Sequence, residues 1–253
     1  MSAPLLLIGG LDSSAGAGIL RDAATAAQHG VPFRTVVTAV TAQTDAAVSA
    51  IHPVPAPVIR AQIAAAGAVA AIKIGMLGTA ATVTAVADAL PPVPLVLDPV
   101  LRASSGRALL DPPGLRLLIG RLLPRCTLLT PNLPELALLG RALGLPEGGA
   151  EAEIAAALIA AGARNVLVKG GHAMTPERCE DRLYRATGAV LSFAGPRHRV
   201  TLRGTGCQLA TGIAAEIALG RALPEAIPRA RALLAQRFMA AEAETSAQPC
   251  AAP

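Results

Sequence analysis

The strongest constraint on this chain is an alternation of texture along its length. Short apolar runs trade places with longer alanine-rich stretches that favour helix. PLLLIGG (4–10) reads as a strand, and AGILRDAATAAQHG (17–30) as a helix closed by Gly30. TVVTAV (35–40) is a second, β-branched strand, and PAPVIRAQIAAAG (55–67) a helix with proline in its first turn. The pattern continues with strands at 71–77, 95–100, 126–132 and 165–171, interleaved with helices at 79–90, 114–123, 134–144 and 152–162. Wholly apolar strands separated by helices predict a parallel sheet covered on both faces. From 172 to 202 the texture changes, and RLYRATG followed by AVLSFAG predicts a hairpin around Thr187-Gly188. Two alanine-rich helices follow RGTGC, and residues 241–253 read as an unstructured tail. No repeat or linker divides the chain. The expectation is one doubly wound α/β domain over residues 1–240.

The 253 residues suffice for such a domain. No apolar run reaches the ~18–20 residues that cross a bilayer. The N-terminus MSAPLLLIGG has no basic stretch before its apolar run, unlike a secretory signal. A soluble, cytoplasmic protein without a membrane partner is therefore expected. Cys126, Cys179, Cys207 and Cys250 are far apart and form no CxxC pair, which argues against a disulfide framework or a zinc site. The formal charge of +5 comes largely from arginine, Lys73 and Lys169 being the only lysines. These charges are scattered and aromatic residues make up only 2%, so the chain lacks the basic blocks and stacking platforms of a nucleic-acid binder. Anionic small molecules are the expected partners.

In doubly wound sheets, ligands bind beyond the carboxyl ends of the strands. Polar or small residues gather at nearly every such end. GGLDSSAGAG with Asp12 follows the first strand, Gln43 the second, Gly75-Met76 the third, and Asp98-Pro99-Val100 the fourth. Thr130, Asn132 and Glu135 follow the fifth, and Lys169-Gly170 the sixth. Each alone has a bland reading: strand terminator, helix start or solvated charge. Together they predict one cleft. Asp98 and Glu135 could hold Mg²⁺ through water, as a hard cation prefers. Lys169 could neutralise phosphoryl oxygens, and the bare amides of Gly204, Thr205 and Gly206 at a helix start form an anion site needing no side chain. That set suits phosphoryl transfer from a nucleotide. No Walker A sequence is present.

GLDSSAGAGIL, AVTAQ, KIGML, LDPVLRASSG, LLTPNLPE, VLVKGGH and RGTGC also resemble, in order and approximate spacing, the hydroxymethylpyrimidine and phosphomethylpyrimidine kinases of thiamine biosynthesis. The similarity spans about residues 5 to 235. It implies a three-layer α/β/α ribokinase-like fold with a mostly parallel sheet, use of MgATP, and frequent homodimerisation. It implies phosphorylation of 4-amino-5-hydroxymethyl-2-methylpyrimidine and then of its monophosphate. By position, Gln43 is the amide that reads the aminopyrimidine edge, with Asp12, Ala17, Met76 and Val100 lining the same pocket. Asp98 and Glu135 serve the magnesium. Lys169, Asn132 and Thr205 serve the nucleotide, Gly204 to Gly206 form the anion hole, and Cys207 stands where related sugar kinases carry an aspartate base. A helix N-terminus lowers a thiol's pKa, so Cys207 is expected to accept the substrate's hydroxyl proton, with a turn-fitting spacer as the plainer role.

The chain departs from the family pattern DPSGGAGI, with Ser13 in place of proline and Ala15 in place of the first glycine. Arg203 stands where histidine commonly precedes GTGC, and Asp181 matches an acid read as structural. Two other functions fit the same motifs: a pyridoxine or pyridoxal kinase, and a non-catalytic nucleotide-binding relative.

Overall fold

The computed structural model describes residues 3–103, 105–172 and 178–247. Ser104 of the SSG turn, residues 173–177 before the hairpin, and the final six residues of the expected tail lie outside the described residues.

The strands are β1 (Leu5–Asp12), β2 (Phe33–Gln43), β3 (Val48–Pro53), β4 (Ala71–Ile74), β5 (Leu95–Leu97), β6 (Leu128–Leu129), β7 (Asn165–Val168), β8 (Arg178–Arg185) and β9 (Val190–Pro196). They form one sheet in the order β3-β2-β1-β4-β5-β6-β7-β8-β9. Six neighbouring strands, β2, β1, β4, β5, β6 and β7, pair in parallel, whereas β3, β8 and β9 are antiparallel additions at the two edges. The helices are α1 (Gly18–Gln28), α2 (Ala56–Ala66), α3 (Ala80–Ala89), α4 (Pro112–Leu117), α5 (Leu133–Ala142), α6 (Glu151–Ala160), α7 (Thr205–Ala218) and α8 (Leu223–Ala247).

Side-chain alternation on β1 shows why the central strands are mainly apolar, with Lys73 of β4 a buried exception. Leu6 and Ile8 enter one core with Ile59, Val83, Leu122 and Leu139. Leu5 and Leu7 enter a second core with Ile19, Ile213, Ile227 and Ala230. A strand covered on both faces has no side to leave polar. The layers are thus α2 to α6, the sheet, and α1, α7 and α8.

Three details depart from the sequence-based reading. The second strand runs on to Gln43 and folds back as β3, a largely exposed edge strand without the apolar signal of a buried one. The predicted helix at 114–123 is α4, a wider turn at Leu118–Leu122 and a tight turn at Leu123–Arg125. Helix α8 extends to Ala247, so residues 241–247 are helical where a tail was expected.

Chain direction reverses between β1, which continues to β2 on one side, and β4 on its other side. That switch point leaves a crevice beyond the carboxyl ends of the strands.

Candidate active site

A cavity of about 900 Å³ opens along that rim. It is lined by Asp12, Ala17, Gln43, Met76, Asp98, Val100, Asn132, Glu135, Lys169, Gly204, Thr205, Gly206 and Cys207. The residues given a substrate, nucleotide, metal or catalytic role from the sequence therefore line one space, whereas Gly75, Pro99, Thr130 and Gly170, also noted at strand ends, do not line it. Parallel pairing produces this convergence, because each strand leaves the sheet beside its neighbour. Gly75 N donates to Ile8 O at 2.8 Å, Asp98 N to Ile74 O at 2.8 Å, and Thr130 N to Leu97 O at 3.0 Å.

Three of these exits meet at Lys169. Its ammonium lies 2.7 Å from Asp98 Oδ1 and 3.9 Å from Glu135 Oε2. Thr130 Oγ1 donates to the same Asp98 oxygen at 3.1 Å. Glu135 is fixed by a capping box: its carboxylate accepts from Asn132 N at 2.9 Å while Asn132 Oδ1 accepts from Glu135 N at 2.8 Å. The helix-start reading of Asn132-Leu133-Pro134-Glu135 and the site reading are thus both realised by the same atoms.

The electrostatics split the two carboxylates. Burial alone would raise Asp98, but the Lys169 and Lys73 charges and the Thr130 hydroxyl hold it below the usual carboxylate range. Burial pushes Glu135 up to about 7, against the pull of Lys169 and with help from the Asp98 charge. Burial opposes the charge on Lys169, yet Asp98 and Glu135 raise it above its ordinary value.

The glycines of RGTGC have separate geometric reasons. Gly204 takes a left-handed conformation (φ 71°) as it caps α7, and a Cβ there would sit 2.4 Å from Gly16 O. A Cβ on Gly206 would sit 3.2 Å from Lys169 Nζ. The bare turn lets α7 start against both the first loop and the lysine. No side chain caps this helix, so its first amides have no side-chain partner where Gly204, Thr205 and Gly206 line the cavity.

Cys207 corrects the expectation of a lowered thiol. Burial pushes it up to about 11; Lys73 and a hydrogen bond from the Gly18 amide work downward, while Asp22 and Asp98 work upward. Desolvation outweighs the helix terminus here, so the thiol carries its proton near neutral pH.

The first loop is held by Asp12. Its Oδ1 accepts from Ser14 N at 2.9 Å and Ser14 Oγ at 2.7 Å, and its Oδ2 from Ala17 N at 2.9 Å. Ala15 adopts φ 58°, so the position where the family carries glycine retains a glycine conformation. Arg203 completes the clamp, reaching Asp12 Oδ2 at 2.9 Å, Asp45 Oδ1 at 2.6 Å and Ser14 Oγ at 2.8 Å. It is neither solvated nor simply aimed at an anion. Gln43 sits at a register shift of β2, its side-chain oxygen 3.3 Å from Thr41 Oγ1, with its backbone tied to Ser13 Oγ. Met76 is buried beside Val100 in a small apolar cluster at the rim.

Asp181, read as structural, accepts from Gly170 N at 2.8 Å and pairs with Arg231, holding the turn after Lys169, and it also lines the cavity. Sequence reasoning missed Asp22. Its signal was an acid on the helix face that also carries Ile19, Thr25 and Ala26. Lys73, noted merely as one of two lysines, is its partner, 2.7 Å away and fully buried.

The comparisons with known proteins agree with this geometry. A sequence profile described as phosphomethylpyrimidine kinase matches residues 12–249. A hydroxymethylpyrimidine/phosphomethylpyrimidine kinase of Rhizobium meliloti is 41% identical over 96% of this chain and 92% of its own. Among solved structures, a phosphomethylpyrimidine kinase of Clostridium difficile 630 superposes with a TM-score of 0.78 at 29% identity, covering 93% of this chain and 99% of that one. The Staphylococcus aureus pyridoxal kinase in complex with AMP-PCP and pyridoxal gives 0.81 at 28% identity, covering 93% and 87%. The fold is therefore the ribokinase-like α/β arrangement expected from the motifs. With a curated relative of that identity and coverage, and a family profile spanning nearly the whole sequence, the chain is a kinase that belongs to the phosphomethylpyrimidine kinase family.

Proposed function

We propose that this chain transfers the terminal phosphoryl group of ATP to the hydroxymethyl oxygen of 4-amino-5-hydroxymethyl-2-methylpyrimidine, and to the phosphate of its monophosphate. The observation carrying this reading is the meeting of Lys169, Asp98, Glu135 and the uncapped 204–206 turn at one cavity. Phosphoryl transfer asks mainly for positioning and charge neutralisation, and this arrangement offers both. The names of the relatives point to the same substrates.

In this reading the amides of residues 204–206 receive the transferring oxygens and Lys169 neutralises them. Asn132 and Thr205 contact the nucleotide phosphates. Asp98 and Glu135 offer hard oxygen donors 2.7 and 3.9 Å from the ammonium, which suits a magnesium ion that keeps most of its water; that ion would screen the phosphate charge. Gln43 reads the amino edge of the pyrimidine, while Asp12, Ala17, Met76 and Val100 shape the pocket around its ring. Cys207 stands at the acceptor hydroxyl as a protonated thiol, positioning it and taking a proton only in its minor thiolate form. The reading carries with it a single catalytic domain working as a homodimer in the cytoplasm; sedimentation of the purified protein tests the dimer.

A second reading, pyridoxal phosphorylation, draws on the likeness to the Staphylococcus aureus pyridoxal kinase. One experiment separates the two. Purified protein is given MgATP with the hydroxymethylpyrimidine, its monophosphate or pyridoxal, and ADP release is followed. Release with either pyrimidine and far slower release with pyridoxal is expected; the reverse order would reject the first reading.

A further inference from the structure

A charged pair beneath this site has no part in the roles above. Lys73 is the third residue of β4, and Asp22 lies midway along α1. Their side chains are 1% and 0% exposed, and Nζ lies 2.7 Å from Asp22 Oδ2. Thr211 of α7 donates to the other carboxylate oxygen at 2.8 Å. The three side chains join the strand beside the switch point to both helices that frame the glycine-rich loop and the anion-hole turn. Replacing a buried ion pair by apolar side chains is often neutral or stabilising, so stability alone is a weak reason for this one.

The ammonium is not confined to the core. It extends along the sheet until a Cβ on Gly75 would stand 2.9 Å from Nζ, so glycine leaves it room at the strand's end. Both Lys73 and Asp22 reach the wall of the cavity. The charged groups that act on Cys207 are Lys73, Asp22, Asp98 and Lys169. Thr211, which holds Asp22, follows Cys207 by one turn of α7, and Gly18, whose amide reaches the thiol, precedes Asp22 by one turn of α1, so the pair lies one turn behind Cys207.

We propose that Lys73 is a positioning residue for phosphoryl transfer: its ammonium, held by Asp22, supplies fixed positive charge behind Cys207, favouring the negative charge that develops beside the thiol. The proposal rests on the reading of that rim as the phosphoryl-transfer site, so its test reads the local charge independently of turnover.

The rate of Cys207 alkylation by iodoacetamide, followed by peptide mass spectrometry at fixed mildly alkaline pH, reports the potential at the sulfur. Lys73→Met should slow it about tenfold, the effect of one unit in thiol pKa, and lower kcat with little change in KM for ATP. Lys73→Arg should restore most of both. Asp22→Asn should speed alkylation, because a negative neighbour is removed. A merely structural pair would loosen the turn and speed alkylation in both the Met and Asn variants. That result, or unchanged alkylation in folded Lys73→Met, overturns the proposal. If Lys73→Met does not fold, Asp22→Asn decides. Faster alkylation with unchanged amide exchange at residues 204–208 supports the proposal; faster exchange there, or no acceleration, overturns it. Absence of ADP release from the unaltered protein would instead reject the substrate reading, leaving the alkylation contrast to decide Lys73.

Discussion

Lys169 and Asp98 stand 71 residues apart in sequence, yet the ammonium of one lies 2.7 Å from Oδ1 of the other. Asp98 leaves β5 and Lys169 leaves β7, parallel strands two places apart in the sheet, and Glu135 joins them from the helix that follows β6, the strand between. Lys169→Met should therefore lower kcat by roughly 10²–10³-fold, the scale of losing one preorganised group at a charged transition state. KM for the pyrimidine should stay within about threefold. Steady-state kinetics check this, and a variant retaining full kcat would remove Lys169 from the chemistry. Asp98→Asn and Glu135→Gln should each raise the magnesium concentration giving half-maximal rate by about tenfold; an unchanged magnesium requirement would withdraw the metal assignment.

Glu135 gives a stability prediction with a definite sign. Its carboxyl is raised from 4.5 to about 7 in the folded protein, so the folded state binds more protons than the unfolded one between those values. The contribution of the protonated side chain is fully present below about pH 4.5 and is lost as pH rises through about 7. The loss amounts to about 3 kcal/mol. Without magnesium, Glu135→Gln should lack this decline, since glutamine can still accept the Asn132 amide. Denaturant unfolding of both proteins between pH 5 and 8 provides the comparison, and parallel stability curves would refute it.

Arg203 links Asp12, Ser14 and Asp45 across the mouth of the substrate end. Shortening it to the family's usual histidine loses at least the reach to Asp45. Arg203→His should raise KM for the pyrimidine about tenfold, the size of one lost charged hydrogen bond, with KM for ATP nearly unchanged. Equal effects on both substrates would mean that the clamp is not local to the pyrimidine.

Cys207 is raised to about 11 by burial, so its thiolate fraction grows as pH rises from neutral toward that value. If the thiolate takes the substrate proton, kcat should climb with pH over this interval, and Cys207→Ala should flatten the climb. Turnover of the variant at neutral pH should fall by only about tenfold with ATP binding intact, because a loose transition state draws little from a base. Full activity with an unaltered pH profile would make the residue a spacer.

Ala15 is held at φ 58°, where its Cβ crowds the backbone. Ala15→Gly should raise stability by roughly 1 kcal/mol, about 2–4 °C in Tm for a chain of this size, without altering the substrate contacts. Calorimetry decides, and a lowered Tm would show that the alanine methyl contributes packing worth more than the strain.

Much of the site could be read from the sequence because each of its residues ends a strand or starts a helix. The capping box at Asn132 and Glu135 and the bare turn at Gly204–Gly206 are local patterns. The departures at Ala15 and Arg203 were also visible, though only the fold showed one as a left-handed alanine and the other as a clamp 191 residues from its carboxylate partner. Strand β3 escaped notice because an exposed edge strand has no apolar run to betray it. The end of α8 was misread because small polar residues suit a solvated helix as well as a tail.

The sequence alone determined the alternation of strand and helix, the apolar character that forces the strands between two layers, and the chemistry available at their ends. Those follow from local spacing and side-chain type. Only the tertiary structure decided that Lys73 and Asp22 share the floor of the cavity, that Glu135 is driven toward neutrality, and that Cys207 keeps its proton. Charge and protonation inside a protein depend on what lies nearby in space and how little water reaches it, and neither is a property of a short stretch of chain.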